Sequence, residues 1–267
     1  MAANGDRNNW TSSAPAAASR AAARWQRYVW SRRAHSWDQH ASPSLSSVTS
    51  AVLSASAVRP GDAVLDLGCG TGQISLPLAA QGADVVGIDV SPAMAGRLRA
   101  EAARRGLLSV TVVARPIENL VLEPGSFDLI VSSYALHHLR DADKARLVRS
   151  CYHWLRPGGR LVIADMMLGR GGSARDREII LAKLGTFARR GPGGWWRITK
   201  NAVRYLVRVQ ERPISMAAWT RLCGTAGFTR VDTFAIVAEA GLVTAWRPPA
   251  AVRQLAGRSS APRTAGQ

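Results

Sequence analysis

Short apolar runs alternate with longer helical stretches between residues 51 and 165, and this alternation limits the possible folds more than any other feature. The runs rich in β-branched residues are predicted strands, at 63–67, 84–88, 109–113, 127–132 and 160–164. Helical periodicity marks the segments 73–81, 93–105 and 141–155. Strands that are apolar on both faces and separated by helices are typical of a parallel sheet covered on both sides. We therefore expect an α/β, Rossmann-like, doubly wound sheet.

The remaining chain predicts where this domain begins and ends. Two strands at 229–237 and 241–246 are joined by three residues, too few for a crossover helix, so they should pair antiparallel. Residues 166–220 break the strand and helix alternation and are expected to form a helical lid insert. Residues 1–20 and the basic tail 248–267 contain little that a core could bury, and we expect both to be disordered. The predicted domain thus spans residues 21–247.

The chain is strongly basic, with 35 Lys and Arg against 18 Asp and Glu and a net charge of +17. The excess is uneven, because residues 51–165 hold 12 basic and 11 acidic side chains whereas residues 166–212 hold 11 basic and 3 acidic ones. A nearly neutral central domain with a basic insert favours a cationic lid or an anionic partner.

Three dispersed cysteines, Cys69, Cys151 and Cys223, indicate neither a disulfide framework nor a metal site. No apolar run approaches the roughly 18 residues of a membrane-spanning helix, and the first residues lack a hydrophobic signal core. We expect a cytoplasmic protein without a bound metal. The sequence carries no signal for an oligomeric state.

The stretch from Val64 to Gln73 carries the most specific chemical signal. A strand delivers Asp66, and Gly68, Gly70 and Gly72 then allow a tight turn beneath a ligand. The spacing is G-x-G-x-G, with Gln73 where a dinucleotide fingerprint requires glycine. A carboxylate at the mouth of the loop would also repel phosphate and attract an ammonium group.

A second acid, Asp89, ends the next predicted strand. A carboxylate in this position can accept both hydrogen bonds of a ribose diol. Two acids at neighbouring strand ends around a glycine loop indicate a nucleoside that bears a cationic group and no phosphate.

Taken in order, 64–73, Asp89, 127–139 and 155–159 resemble the class I S-adenosylmethionine-dependent methyltransferases. The resemblance covers residues 45–165 well and 215–247 loosely, and it implies a seven-stranded sheet whose last strand is antiparallel. It also implies that Asp66 and the three glycines surround the methionine part of S-adenosylmethionine and that Asp89 holds the ribose.

The adenine segment departs from the family pattern. The family often has an acid in a G-D-A-E-D-L-like run, whereas this chain has Arg115 or Pro116 at that point. We expect Ile117 to contact adenine instead, with Glu118 or Asn119 as the polar partner.

Residues 132–139 follow the fourth strand, where the family meets both the methyl group and the acceptor. Ser132 is expected to contact the cofactor, and Tyr134 and His137 are candidates to orient or deprotonate an acceptor hydroxyl. The competing interpretation makes His137 and His138 packing and capping residues. The segment lacks the N/D-P-P-Y/F run associated with methylation of exocyclic amines.

Residues 192–212 form a predicted amphipathic helix with one apolar stripe and one basic stripe. It can be a lid over the acceptor, a contact with an anionic membrane or lipid-like substrate, or an RNA contact. Aromatic residues between Trp25 and Trp37, Trp30 and Trp37 above all, can help to close the cofactor site or pack in the core.

The sequence therefore predicts a methyltransferase that acts on a small-molecule or lipid-like acceptor by direct displacement. RNA methylation is the alternative among enzymes. The alternative that is not an enzyme is a protein that binds S-adenosylmethionine without transferring its methyl group.

Overall fold

The computed structural model describes residues 11–12, 17–34, 43–168, 177–178, 181 and 211–250. Two helices, α1 (Ala17–Arg33) and α2 (Pro43–Ser56), precede the sheet. The parallel strands and their helices then follow in the order β1 (Ala63–Leu67), α3 (Ser75–Ala80), β2 (Asp84–Asp89), α4 (Pro92–Arg104), β3 (Val110–Ala114), β4 (Phe127–Ser133), α5 (Asp141–Trp154) and β5 (Leu155–Met166). After the insert come α6 (Met216–Ala226), β6 (Thr229–Ala235) and β7 (Ala240–Trp246).

The sheet has seven strands in the order β3-β2-β1-β4-β5-β7-β6. Strands β1 to β5 are parallel, while β7 pairs antiparallel with both β5 and β6. The doubly wound sheet with an antiparallel final strand is thus confirmed. A short ribbon also joins Thr11–Ser12 to Leu120–Val121.

Apolar residues cover both faces of the sheet. One cluster joins strand residues such as Leu65 and Ile130 to α5 and α6, and another joins Val64 and Leu129 to α2 and α3. Both faces of the sheet are covered. A polar ligand can therefore bind in the crevice outside the carboxyl ends of β1 and β2.

Local sequence signals explain two helix ends. Ser91 caps α4 by accepting a hydrogen bond from the Met94 amide, and Pro92 occupies the first turn. Gly227 ends α6 in the left-handed conformation at φ 101°.

The insert has narrower bounds than the predicted 166–220. Strand β5 runs to Met166, Met167 and Leu168 are buried, and α6 begins at Met216 and packs on α5. Helix α6 therefore belongs to the layer that covers the sheet. The predicted amphipathic helix 192–212 lies outside the described residues except for its last two positions.

The predicted disordered ends are only partly described. Helix α1 already begins at Ala17, four residues before the predicted start of the domain. Residues 1–10 and 251–267 lie outside the described part of the chain, as does Trp37.

Among the described residues, no helix has both the length and the apolar character that a bilayer crossing requires.

Candidate functional site: an acidic pocket at the sheet edge

The glycine loop after β1 is shaped by close packing on one side and open space on the other. Gly68, Gly70 and Gly72 have φ angles of 81°, 53° and 100°, where side chains are disfavoured. A Cβ on Gly68 would lie 2.3 Å from Ala135 Cβ, and one on Gly72 would lie 2.4 Å from Leu98 Cδ1. A Cβ on Gly70 would meet nothing within 4 Å. Gly68 and Gly72 are therefore needed for packing. Gly68 and Gly70 both line the pocket, and of these two only Gly70 has open space where a side chain would be.

Asp89 fastens this loop to the start of α4. Its Oδ2 accepts a hydrogen bond from the Gly70 amide at 3.0 Å, and its Oδ1 accepts one from the Ser91 amide at 2.8 Å. Burial raises the pKa of the Asp89 carboxyl, while these two amides oppose the rise. Each carboxylate oxygen has a further lone pair, so both oxygens can also accept from a ribose diol.

Asp66 lies on β1 and is 1% exposed. Its Oδ2 accepts a hydrogen bond from Ser75 Oγ at 2.6 Å. Burial raises the pKa of Asp66 to about 7, against the lowering effect of Ser75 and with a further rise from the charge of Asp89. The Asp66 carboxyl therefore changes its charge near neutral pH.

The pocket beside the loop is acidic, although the chain as a whole is basic. Asp66, Asp89 and Glu118 line it, and no Arg or Lys is found among its described lining residues. A wall of this charge favours a cation and disfavours a phosphate.

The adenine segment begins with a buried turn. Ile117 opens a 3-10 turn over Ile117–Asn119 and is 8% exposed, and both Ile117 and Glu118 line the pocket. Burial raises the pKa of the Glu118 carboxyl. This wall offers an apolar contact and one carboxyl to a flat ring.

The segment after β4 brings some of the predicted residues to the pocket and leaves others in the core. Ser132 Oγ donates to the Leu67 carbonyl oxygen at 2.7 Å, and the neighbouring Ser133, not Ser132, lines the pocket. Tyr134 lines the pocket with a left-handed backbone at φ 50°, and its amide donates to the Ala164 carbonyl oxygen at 2.9 Å. Burial, with Glu239 and Asp165 nearby, raises the pKa of Tyr134 to about 12. Tyr134 is thus a neutral phenol that can donate a hydrogen bond.

His137 forms hydrogen bonds with Asp165, an acid that was not predicted as a site residue from the sequence. Its Nδ1 lies 2.5 Å from Asp165 Oδ1, and its amide donates to Asp165 Oδ2 at 2.8 Å. Burial lowers the pKa of His137, but the charge of Asp165 and the hydrogen bond to it outweigh burial, so the pKa is raised. Asp165 lies near the end of β5. An acid at a strand end was the signal already used for Asp66 and Asp89.

The two histidines differ in position. His138 lines the pocket, whereas His137 lies one layer behind it, with its ring centroid 4.0 Å from that of His138 and 6.4 Å from that of Tyr134. The imidazole of His137 is therefore held next to two pocket residues by a fully buried carboxylate.

Helix α1 closes the pocket from outside the sheet. Gln26 Nε2 donates to the His138 carbonyl oxygen at 3.2 Å, and the Trp30 ring meets the His138 ring edge-on with centroids 5.4 Å apart. The hydroxyl groups of Ser31 and Ser91 lie 3.0 Å apart. The prediction from sequence that Trp30 can help to close this site agrees with its place in the lining.

These residues fit S-adenosylmethionine. The space over Gly70 is open, the Asp89 carboxylate has lone pairs that can accept from a ribose, and the Asp66 carboxyl lines the same pocket, where it can pair with an ammonium group. Among the described residues, no group of three or more His, Cys, Asp or Glu side chains is placed to hold a metal ion.

Comparison with known proteins agrees with the geometry. Residues 64–159 match the methyltransferase domain family. An uncharacterized methyltransferase of Synechocystis is 38% identical over 110 residues, which are 41% of this chain and 50% of the relative. The ubiquinone biosynthesis O-methyltransferase of Sinorhizobium fredii is 32% identical over 148 residues, 55% of each chain. The chain thus spans about half the length of the curated relatives it matches.

A solved structure supports the same fold. The crystal structure of an S-adenosylmethionine-dependent methyltransferase from Aquifex aeolicus has a TM-score of 0.56 and 18% identity to this chain, and covers 81% of this chain and 98% of its own. Residues 64–159 are thus similar to a methyltransferase domain, and the seven-stranded sheet has the same fold as the Aquifex aeolicus methyltransferase.

Proposed function

We propose that this chain methylates a hydroxyl group of a small aromatic or lipid-like acceptor, with His137 as the base. The observation that carries the proposal is the pair of hydrogen bonds between His137 and Asp165, which hold the imidazole directly behind the pocket residues Tyr134 and His138. When bound, S-adenosylmethionine supplies a methyl group already activated by its sulfonium. The protein has to align the acceptor, receive its proton and keep water out.

The proton of the acceptor needs a receiving atom. Because Asp165 accepts the hydrogen of Nδ1, the lone pair of neutral His137 is on Nε2. The carboxylate also stabilises the imidazolium that forms when Nε2 takes a proton. Tyr134, with its pKa near 12, orients the acceptor through its phenol and does not itself act as the base.

Water has to be kept from the reacting groups. Trp30 and Leu139 contribute apolar side chains to the pocket, and Gln26 ties α1 to the segment that carries His138. The aromatic rings of Trp30, Tyr134 and His138 also favour a flat acceptor.

The relatives support the same acceptor class. The S. fredii relative is named as an O-methyltransferase of ubiquinone biosynthesis. An acceptor hydroxyl is consistent with the need for a base, since a hydroxyl has a proton to lose.

Transfer of labelled methyl from S-adenosylmethionine tests this function. We expect label in phenols, with and without an isoprenoid tail, and no label in total RNA. His137→Gln should lower the rate constant for transfer by about 100-fold to 10,000-fold, the usual contribution of a general base. The affinity for S-adenosylhomocysteine should stay within about twofold.

Two further variants separate catalysis from folding. His153→Gln, on the exposed side of α5, serves as the control and should leave transfer unchanged. Asp165→Asn should shift the acid limb of the pH profile to lower pH, because the carboxylate no longer raises the pKa of His137. Label found in RNA alone, or no transfer to any acceptor, would contradict the proposal.

A further inference from the structure

One side of α1 presents aromatic and cationic side chains to solvent. Trp25 and Tyr28 are 52% and 53% exposed, and Arg24 and Arg32 are exposed beside them. At 100° per residue these four positions fall within one third of the helix circumference. We call these four residues the outer face of α1.

Contacts within the outer face hold its rings and charges together. The Trp25 and Tyr28 rings have centroids 6.0 Å apart. Arg32 Nη1 donates to Tyr28 Oη at 2.8 Å, and its guanidinium lies 5.7 Å from the centre of the Tyr28 ring. The aromatic pair thus lies next to a cation on the surface of the helix.

The charge of α1 is of one sign. The helix contains five arginines and no Asp or Glu. A helix with this composition is complementary to a negatively charged surface.

The opposite side of α1 belongs to the pocket. Gln26 and Trp30 line it, and Ala23 is buried. A partner on the outer face would therefore lie one helix diameter, about 10 Å, from the pocket wall.

We propose that the outer face of α1 docks on an anionic lipid bilayer. Trp and Tyr favour the level of the lipid headgroups, and Arg side chains favour anionic lipids. Single-stranded RNA, by contrast, is bound along a groove in which successive bases stack on aromatic rings. Two neighbouring rings on the convex side of one helix fit the bilayer better.

Docking in this orientation places the pocket beside the membrane surface. The path of a lipid-like acceptor from the bilayer to the pocket wall is then about one helix diameter. This consequence rests on the proposed function, whereas the docking itself does not.

Sedimentation with vesicles tests the docking. The full-length protein is mixed, without cofactor or acceptor, with vesicles of phosphatidylcholine alone or with about one third phosphatidylglycerol. We expect binding to the anionic vesicles only. Arg24→Gln with Arg32→Gln should lower the partition coefficient about 25-fold, about fivefold for each charge.

Matched variants show whether the effect belongs to this face. Arg149→Gln with Arg221→Gln removes the same charge from exposed positions on α5 and α6, and should change binding less than about threefold. Trp25→Ser with Tyr28→Ser should keep the salt dependence but lose the binding that persists at high salt. Circular dichroism melting checks that each variant is folded.

Several results would overturn the proposal. One is binding to neutral vesicles as tight as binding to anionic vesicles. Another is a loss of vesicle binding in the α5 and α6 control as large as that in the Arg24 and Arg32 variant. The third is binding of total RNA that depends on Arg24 and Arg32 while vesicle binding does not. His137→Gln should bind vesicles like the wild type, so a failure of methyl transfer and a failure of docking are distinguishable.

Discussion

The pocket and the outer face of α1 lie on opposite sides of one helix and have opposite charge. The pocket is lined by Asp66, Asp89 and Glu118, with no Arg or Lys among its described lining residues. The outer face carries Arg24 and Arg32 in a helix without acids. A net charge of +17 therefore says little about which ligand the pocket binds. The placement of a few buried carboxylates decides that, because buried charges are screened much less than exposed ones.

The largest expected effect comes from filling the pocket at Gly70. Gly70→Val places a side chain where no protein atom lies within 4 Å, in the space assigned to the cofactor. We expect the affinity for S-adenosylhomocysteine to fall at least 100-fold in calorimetric titration. The left-handed φ should also cost about 1–2 kcal/mol of unfolding free energy.

Gly125→Val is the control for that change. Gly125 has a similar φ of 65° and open space around it, but does not line the pocket. It should lose similar stability with unchanged affinity. Equal loss of affinity in both variants would mean that Gly70 acts through stability alone.

A smaller loss should follow removal of the Asp89 carboxylate. Asp89→Ala should weaken binding of S-adenosylmethionine and of S-adenosylhomocysteine by about 1–3 kcal/mol, the value of charged hydrogen bonds. Asp232→Ala, on the exposed edge strand β6, should have no effect. An affinity equal to that of the wild type would show that Asp89 does not bind the ribose.

The charge of Asp66 should make cofactor binding depend on pH. Its pKa is about 7 without a ligand, and an ammonium group beside it would lower that pKa. The affinity should therefore rise about tenfold from pH 6 to pH 8, with release of a proton on binding. Calorimetry in buffers of different ionisation enthalpy measures that proton. Asp66→Asn should abolish both effects, and a pH dependence kept by this variant would assign the proton to another group.

The titration of Asp66 should lower the free energy of unfolding as the pH rises, whereas it raises the affinity for the cofactor. The folded state raises the pKa from 3.8 to about 7, so the folded protein binds this proton more tightly than the unfolded chain does. The contribution to stability is thus present at low pH and falls as the pH rises from about 4 through 7. Urea unfolding of the wild type and of Asp66→Asn, both without ligand and at pH 6 and pH 8, measures this contribution of Asp66 to the free energy of unfolding.

The smallest expected effect tests whether the two regions are independent. Arg24→Gln with Arg32→Gln should change the affinity for S-adenosylhomocysteine less than twofold at physiological salt, because exposed charges about 10 Å away are largely screened. A change in this affinity above about fivefold would show that the outer face and the pocket are coupled.

The pattern of the sequence was enough to predict the sheet and the position of two acids at neighbouring strand ends. Strand ends are set by short apolar runs, and Asp66 and Asp89 each come at such an end. The glycine spacing also predicted the turn that the positive φ angles of Gly68, Gly70 and Gly72 confirm. These features are local, so neighbouring residues specify them.

Features that depend on distant contacts were not predicted. Asp165 is paired with His137 only because β5 lies beside β4 in the sheet. The choice between Ser132 and Ser133 follows the alternation of side chains across β4, which a shift of one residue reverses. Ser75 was missed for a related reason, since its hydroxyl reaches Asp66 across the turn into α3.

The buried carboxylates of the pocket should select a cationic nucleoside without phosphate. Equilibrium titration of the purified protein with S-adenosylmethionine and with NAD⁺, under identical conditions at pH 8, tests it most directly. We expect saturable binding of S-adenosylmethionine and no measurable binding of NAD⁺ at a hundredfold higher concentration. Binding of NAD⁺ as tight as that of S-adenosylmethionine would contradict it.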